Sequence, residues 1–279
     1  MKHINKKTHI LASDFDGTIT TKQGVIPQSI IDGLQNIQNS NILRVIATGR
    51  SLFSFLTIVD KNFPIDYLIF SGGVGVMDWK TKNIIAENHF SKSQTLEIYN
   101  TLKSNNFDFM VQYPVPYNHI FYQSSSGNYN SDFEARINYY KTNGITPAKT
   151  IPKLASQFVI ICNEGTDHFQ FVKENFGNFK VTKATSPIDH KSLWIEIFPK
   201  HVSKAYGLEL LRIKHDIPLE NIVAVGNDYY DYDMLEYVKF QNAYVVANAP
   251  YELLQRYNII PSSENEGVAN LLNSMNFYR

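Results

Sequence analysis

The feature that most constrains the fold is an alternation of short apolar runs with helix-like stretches in the first third of the sequence. HILASDF, LRVIATG and DYLIFSGG have the length of strands, and QSIIDGLQNI, which lies between the first two, carries apolar residues at helical spacing. The pattern returns late, where the helix-like SKAYGLELLRIKH precedes the strand-like NIVAVG and AYVVANA. Strands that alternate with helices favour a parallel sheet. We therefore predict an α/β fold with a doubly wound parallel sheet.

The middle of the sequence has a different pattern. FDFMVQY and HIFYQ are typical of a strand pair around the turn-prone PVPYN, SQFVIIC is typical of a further strand, and SDFEARINYYK and TDHFQFVKENFG are typical of helices. Together they make an α+β unit of roughly 100 residues, which is a usual domain size. We predict a Rossmann-like core over residues 1–83 and 186–279, an inserted α+β domain over residues 84–185, and hinges at WKTKN and KATSP.

Composition disfavours several classes of protein. Lys and Arg number 26 and are balanced by 26 Asp and Glu, so the chain has no electrostatic footprint for nucleic acid or an anionic membrane. Its single cysteine, Cys162, leaves no internal disulfide and fits a reducing compartment. No apolar run approaches the roughly 20 residues that span a bilayer. We expect a cytoplasmic protein without nucleic-acid or membrane partners, whose oligomeric state the sequence does not indicate.

Side chains able to carry chemistry follow the predicted core strands. They are Asp14 and Asp16 after the first strand, Thr48 and Gly49 after the second, Lys204 after the strand that follows the insertion, and Asn227, Asp228 and Asp231 after NIVAVG. Each one alone has an ordinary explanation, such as a helix cap, a turn or a solvated lysine. Because ligands bind at the carboxyl ends of parallel strands, the set as a whole favours a site at that edge.

These residue types suit phosphoryl transfer. Two carboxylates two residues apart after a strand can point into one pocket. One can attack phosphorus to form an aspartyl-phosphate, and the other can protonate the leaving oxygen and then deprotonate water. Attack on a phosphate dianion needs positive charge from a lysine and from a hard cation such as Mg²⁺. The hydroxyl of Thr48 can donate to a phosphoryl oxygen.

Four segments resemble, in order, the four motifs of the haloacid dehalogenase-like phosphatases: DFDGTIT, VIATGRS, SKAYGLELL and VAVGNDYYDYDML. The most similar group is the Cof-like sugar phosphatases, which carry a large α/β cap between the second and third motifs. WIEIFPKHVSKAYGLELL, VVANAP and ENEGVANLL are similar to the late segments of that group. The resemblance covers the core nearly end to end, and the cap only in placement and general make-up. It implies a Mg²⁺-dependent phosphatase of small phosphorylated metabolites, with sugar phosphates as the favoured substrates.

The resemblance also implies a role for each motif residue. Asp14 would be the nucleophile, and Asp16 would be the general acid and base and would offer its main-chain carbonyl to the metal. The implied substrate-binding residues are Thr48, Gly49 and Lys204, and the implied metal ligands are Asp14, Asp16, Asn227 and Asp231.

The last motif departs from the family pattern, which usually reads Gly-Asp-x-x-Asn-Asp, whereas this chain reads GNDYYD. Three interpretations stay open: Asn227 binds the metal through its amide oxygen, the loop shifts so that Asp228 binds it, or the site holds no metal. We favour the first, because Asn227 and Asp231 keep the family spacing and amide oxygens are acceptable ligands for hard cations. Asp228 is then expected to be exposed or to cap the turn. A second departure is Gly72, where the group usually has an asparagine.

Two other functions fit the same residues. A phosphomutase would share the core chemistry but return the phosphoryl group to its substrate. A non-catalytic protein that binds phosphorylated metabolites would keep the fold without turnover. The fold alone does not decide among these functions, because function depends on the site.

Overall fold

The computed structural model describes residues 7–275 apart from Glu164, Pro187 and His190. The chain divides into two compact units. Met1–Ala86 with Ser203–Arg279 form the first, which we call the core unit, and Glu87–Val202 form the second, which we call the inserted unit.

The core unit is built on an eight-stranded sheet with the order β13-β12-β11-β1-β2-β3-β4-β5. Its strands are β1 (His9–Ser13), β2 (Ile42–Ala47), β3 (Tyr67–Phe70), β4 (Gly75–Asp78), β5 (Asn83–Glu87), β11 (Ile222–Gly226), β12 (Ala243–Val246) and β13 (Asn258–Ile260). From β13 to β3 the neighbouring strands pair in parallel, and β4 pairs antiparallel with β3. Because the chain extends the sheet from β1 in one direction and later in the other, the switch point of the sheet lies at β1.

Helices cover this sheet. They are α1 (Gln28–Asn36), α2 (Leu52–Leu56), α6 (Lys204–His215), α7 (Tyr232–Tyr237), α8 (Tyr251–Leu254) and α9 (Gly267–Met275). Alternate residues of β1 pack with α6 and α7, since Ile10, Leu208 and Met234 share one buried cluster. The predicted doubly wound α/β core is thus confirmed. Among the described residues, no helix has both the length and the apolar character needed to cross a bilayer.

The inserted unit has its own five-stranded sheet, with the order β7-β6-β8-β10-β9 and antiparallel pairing. Its elements are α3 (Lys92–Ser104), β6 (Phe109–Gln112), β7 (Phe121–Ser124), α4 (Ser131–Thr142), β8 (Gln157–Ile161), α5 (Phe169–Asn175), β9 (Lys180–Thr185) and β10 (Leu193–Phe198). Because side chains alternate along a strand, the sheet serves two apolar clusters. Phe158 packs with Ile98 of α3 and Val172 of α5, and the adjacent Val159 packs with Phe133 of α4.

The structure places the unit boundaries at other residues than the sequence predicts. The predicted core segment 186–279 would contain β10, but β10 pairs with β8 and β9 inside the inserted sheet. The predicted hinge KATSP lies largely within β9, and the predicted hinge WKTKN forms the turn between β4 and β5. The physical reason is that an apolar strand such as WIEIF shows by its pattern that it is buried, but not which sheet buries it.

Candidate active site

Asp14 follows directly from the central strand of the core sheet. Its backbone N–H donates to the carbonyl of Val225 at 2.9 Å, so the pairing of β1 with β11 continues through this residue. The carboxyl group is buried, and its Oδ2 accepts from the hydroxyl of Thr18 at 3.1 Å. Sheet pairing and this hydrogen bond together fix the side chain predicted to be the nucleophile.

Lys204 joins two carboxylates at this edge. Its Nζ donates to Oδ1 of Asp14 and to Oδ1 of Asp231, each at 2.6 Å. The relative exposure of Lys204 is only 3%, and that of Asp231 is 1%. The structure therefore brings together three of the predicted site residues from distant parts of the sequence in one buried ion-paired cluster.

A close backbone contact fixes the start of α6, where Lys204 lies. Gly73 has a φ of +103°, and a Cβ at this position would lie 2.1 Å from the carbonyl oxygen of Ser203. Only glycine fits such a conformation at such a distance. The side chain of Ser203 caps α6 by accepting from the N–H of Tyr206 at 2.9 Å. Lys204 is thus held by the helix cap on one side and by the Gly73 loop on the other.

The charges in this cluster do not cancel. Burial raises the pKa of Asp14 to about 7, the negative charge of Asp231 adds to this effect, and Lys204 opposes it. Burial alone would lower the pKa of Lys204, but the two carboxylates outweigh burial and raise it. When both carboxylates are ionised, the single lysine leaves one negative charge in excess, and a bound cation would favour that state.

Asp228 and Asp231, the two acids of the loop after β11, make different contacts. Oδ2 of Asp231 accepts from the backbone N–H of Asn227 at 2.8 Å and from that of Asp228 at 3.1 Å. The Asp228 side chain is exposed and caps the short helical turn Tyr229–Asp231, as expected for this residue. The side-chain amide nitrogen of Asn227 instead faces the loop that follows Asp14, 2.6 Å from where a Cβ at Gly17 would be.

Thr48 and Gly49 follow β2 as predicted. Thr48 is fully buried, and its N–H donates to the carbonyl of Ile69 at 2.8 Å. Its hydroxyl oxygen accepts from the N–H of Arg50 at 3.1 Å, and its carbonyl accepts from the N–H of Gly72 at 3.0 Å. Gly49 is exposed, and a Cβ there would meet no atom within 4 Å. A fixed hydroxyl beside an open glycine suits a position that receives a phosphoryl group.

Asp16 has different surroundings from Asp14. Its exposed carboxylate is held by Arg50, whose Nη2 lies 2.7 Å from Oδ1 and whose Nε lies 2.8 Å from Oδ2. Nη1 of Arg50 also donates to the hydroxyl of Ser54 at 2.9 Å. Their spacing predicts that Asp14 and Asp16 point into one pocket, but the structure pairs Asp14 with Lys204 and Asp16 with Arg50. The sequence marks Arg50 as a possible site residue only by its position as the third residue of the TGR segment.

Asn248 is a second residue to which the sequence motifs assign no role. Its Nδ2 donates to the carbonyl of Gly17 at 2.9 Å, and its Oδ1 accepts from the N–H of Ser263 at 2.9 Å. It thereby ties the loop that follows Asp14 to the turn before α9. In the sequence, Asn248 stands out only as part of the segment VVANAP. An isolated asparagine there does not predict which backbone groups it will contact.

The chemistry of the predicted ligands fits a hard cation. Asp14 and Asp231 carry carboxylate oxygens and share Lys204, Asn227 carries an amide oxygen, and the main chain of Asp16 carries a carbonyl. Within the part of the chain that the structure describes, no three His, Cys, Asp or Glu side chains form a metal-binding group. Mg²⁺ is commonly held by one or two carboxylates together with substrate phosphate and water. An all-oxygen donor set with an excess negative charge therefore fits Mg²⁺ better than a thiophilic metal.

The core unit thus combines a doubly wound α/β sheet with a buried Asp–Lys–Asp cluster at its switch point. Comparison with protein families identifies the class of protein. The model of the haloacid dehalogenase-like hydrolases matches residues 11–272. The chain therefore belongs to the haloacid dehalogenase-like hydrolase family, which confirms the family predicted from its motifs.

Relatives extend over nearly the whole chain. The chain is 25% identical over 288 residues to a Bacillus subtilis protein named 5-amino-6-(5-phospho-D-ribitylamino)uracil phosphatase YwtE, covering 95% of this chain and 97% of the relative. A phosphatase from Bacteroides thetaiotaomicron has a similar structure, with a TM-score of 0.78 and 18% identity over 100% of this chain and 98% of the other. A subclass IIB sugar phosphatase has a TM-score of 0.70 and 16% identity over 96% and 99%.

Proposed function

We propose that the protein is a Mg²⁺-dependent phosphatase of small phosphorylated metabolites, with sugar phosphates as the favoured substrates, and that it acts through an aspartyl-phosphate on Asp14. The observation that carries this proposal is the buried cluster in which Lys204 bridges Asp14 and Asp231 at 2.6 Å each. The oriented carboxylate of Asp14 can act as the nucleophile. The buried Lys204 beside it supplies the positive charge that the transferring phosphoryl group needs.

In the first step, a carboxylate oxygen of Asp14 attacks phosphorus and the bond to the leaving oxygen breaks. Lys204 and the hydroxyl of Thr48 offset the charge on the phosphoryl oxygens. Asp16 gives its proton to the leaving oxygen, which departs as an alcohol. In the second step, Asp16 takes a proton from water, the water oxygen attacks phosphorus, and inorganic phosphate leaves with the Asp14 carboxylate restored.

The acid role of Asp16 requires its ion pair with Arg50 to open. The Asp16 carboxylate that Arg50 holds is not free to reach a leaving oxygen, so the contact must open before Asp16 can act. The exposure of both side chains gives room for this exchange, since Arg50 and Asp16 keep 29% and 46% of their side-chain surface accessible. We infer that the paired arrangement is the resting state of Asp16.

The residues that would hold Mg²⁺ are Asp14, the main-chain carbonyl of Asp16, Asn227 and Asp231. The bound ion would supply positive charge opposite the phosphoryl oxygens. We favour Asn227 over Asp228 as the ligand, because Asn227 and Asp231 keep the family spacing whereas the Asp228 carboxylate caps its own turn. A neutral amide in place of a carboxylate should weaken the affinity for the metal without changing the donor geometry.

The names of two similar proteins support a polyhydroxylated phosphomonoester as substrate. One is named for a phosphorylated ribityl compound and the other is named a sugar phosphatase. Both names describe a phosphate ester on a carbon chain that carries hydroxyl groups. We therefore propose phosphorylated sugars and sugar alcohols as the first substrates to test.

The test is release of inorganic phosphate from a panel of phosphorylated metabolites, with Mg²⁺ and with chelator, by the wild type and by Asp14→Asn. We expect Mg²⁺-dependent release from sugar or sugar-alcohol phosphates, and no release by the variant. Formation of an isomeric sugar phosphate without free phosphate would instead establish a phosphomutase. Saturable binding without turnover of any ester, including a chromogenic one, would leave only the non-catalytic alternative.

A further inference from the structure

Two buried arginines in this protein have opposite surroundings. Arg44, in the core unit, is 4% exposed, and its guanidinium donates to both carboxylate oxygens of Asp66 at 2.8 and 3.0 Å and to the carbonyl of Leu34 at 3.1 Å. Arg136, in the inserted unit, is 7% exposed, and its buried Nε has no hydrogen-bond partner. Across the described residues, Arg136 donates no side-chain hydrogen bond and joins no ion pair.

Aromatic rings hold the Arg136 guanidinium in place. Its Cζ lies 4.0 Å from the centroid of the Trp194 ring and 5.6 Å from that of Tyr140. Stacking of this kind is attractive, but it leaves the in-plane N–H donors of the guanidinium unused. The group is therefore oriented by its neighbours without being neutralised by them.

The acids on the same side of the sheet are committed elsewhere. Asp132 lies one turn before Arg136 on α4, but its oxygens accept from Nε1 of Trp194 at 2.5 Å and from the hydroxyl of Ser186 at 2.7 Å. Glu196, two residues after Trp194 on β10, accepts from Gln157 at 2.8 Å. These carboxylates moderate the local charge, but neither forms an ion pair with Arg136.

Buried charges in proteins are almost always paired, because removing a guanidinium from water without a partner is costly. A planar, oriented guanidinium is also the side chain best suited to a carboxylate or a phosphate. We propose that Arg136, stacked on Trp194, is a binding site for the oxyanion of a small molecule, either a carboxylate or a phosphate group. The site lies wholly within the inserted unit, and it does not depend on the function proposed for Asp14.

Trp194 is a built-in reporter for this site. The chain has two tryptophans, and Trp79 can be replaced by phenylalanine because its buried Nε1 has no hydrogen-bond partner to lose. In the Trp79→Phe background, we would follow Trp194 fluorescence while adding inorganic phosphate, citrate, or sodium chloride at matched ionic strength. We expect a saturable change with phosphate or citrate and none with chloride. The apparent affinities from the phosphate and citrate titrations show whether the site prefers a phosphate or a carboxylate.

Arg136→Met keeps the length of the side chain and removes the charge. In the same background it should weaken the apparent affinity for the preferred anion about 10- to 100-fold, as expected for the loss of a charge-assisted pair. Arg136→Lys keeps a cation without the planar fork and should give an intermediate affinity. If Arg136→Met does not fold, Arg136→Lys carries the comparison. Asp14→Asn should leave the titration unchanged, which separates this site from phosphate binding near Asp14.

Thermal stability gives a second readout. The anion should raise the Tm of the wild type more than that of Arg136→Met, because the variant binds the anion more weakly in the folded state. Arg44→Met is the matched control, since it removes a buried arginine that is fully paired. It should lower the Tm and keep the anion response. Equal responses of the wild type and Arg136→Met to every anion, or a response to chloride as large as that to phosphate and citrate, would overturn the proposal.

Discussion

The side chain of Lys204 has two roles that are hard to separate by inspection. It neutralises part of the charge of two buried carboxylates, and in the proposed reaction it offsets the charge on the phosphoryl group. Its contacts with Asp14 and Asp231, at 2.6 Å each, serve the first role in the structure as it stands. One variant of Lys204 therefore tests both roles: its stability reports on the neutralisation of the buried carboxylates, and its turnover reports on the proposed reaction.

Lys204→Met should lose both stability and turnover. Removing one partner of a buried ion pair leaves the other charges uncompensated, which costs about 3–5 kcal/mol. We expect a loss of this size in the free energy of unfolding measured with denaturant, and a fall in kcat of roughly 10²–10³-fold. Lys214→Met, at an exposed position of the same helix, should change stability by less than about 0.5 kcal/mol. A Lys204→Met protein as stable as the Lys214→Met control would contradict the ion-paired cluster.

The acidic loop makes a prediction about metal affinity. Asn227→Asp adds a carboxylate where the proposed ligand lies, so Mg²⁺ should bind tighter, by about tenfold in calorimetric titration. Asp228→Ala should leave the affinity unchanged and cost about 1 kcal/mol of stability through loss of the cap. The reverse pattern, in which Asp228→Ala abolishes Mg²⁺ binding and Asn227→Asp has no effect, would assign the metal to Asp228.

At the scale of elements, the site depends on how a loop meets a helix. The loop after β3 approaches the residue before α6 so closely that Gly73 cannot carry a side chain. The predictable part of the site consists of the residues that follow β1, β2 and β11, since apolar runs mark those strands and the motifs mark their ends. The pairing of Arg50 with Asp16 and the bridge made by Asn248 were not predictable, because spacing along the chain does not specify which side chains meet in space.

Gly73→Ala tests the contact between the loop and the helix. The φ of +103° and the approach to Ser203 both oppose a Cβ, so we expect a loss of more than about 3 kcal/mol in stability together with a lower kcat. Gly24→Ala is the matched control, because Gly24 has a φ of +76° with no atom within 4 Å of a Cβ. It should cost only about 1–2 kcal/mol. Equal losses in the two variants would show that the contact with Ser203 is unimportant.

At the scale of the whole molecule, the sequence predicted two units but not where the second one ends. The predicted boundary at residue 186 would remove β10 from the sheet that it completes. The strand pairs Trp194 with Ile161 on one side and with Ala184 on the other, so β10 lies inside the inserted sheet. An apolar strand near a boundary satisfies the pattern of either unit, and only its hydrogen-bond partners decide between them.

The inserted unit should fold by itself when its strands are kept together. Glu87–Val202 contains its whole sheet and both apolar clusters, so we expect cooperative thermal unfolding by circular dichroism. The shorter segment 84–185 lacks β10 and leaves β8 and β9 without their common partner. It should not unfold cooperatively. A cooperative transition for residues 84–185 and none for Glu87–Val202 would contradict the boundary at Val202.

In the proposed reaction, Asp14 carries the phosphoryl group. The most direct measurement is acid quench of the enzyme during turnover, reduction of the acyl-phosphate with borohydride, and peptide mass spectrometry. Reduction converts a phosphorylated aspartate into homoserine, so we predict homoserine at position 14, dependent on substrate and on Mg²⁺, and at no other aspartate. Turnover in which Asp14 stays unmodified while another residue carries the label would contradict it.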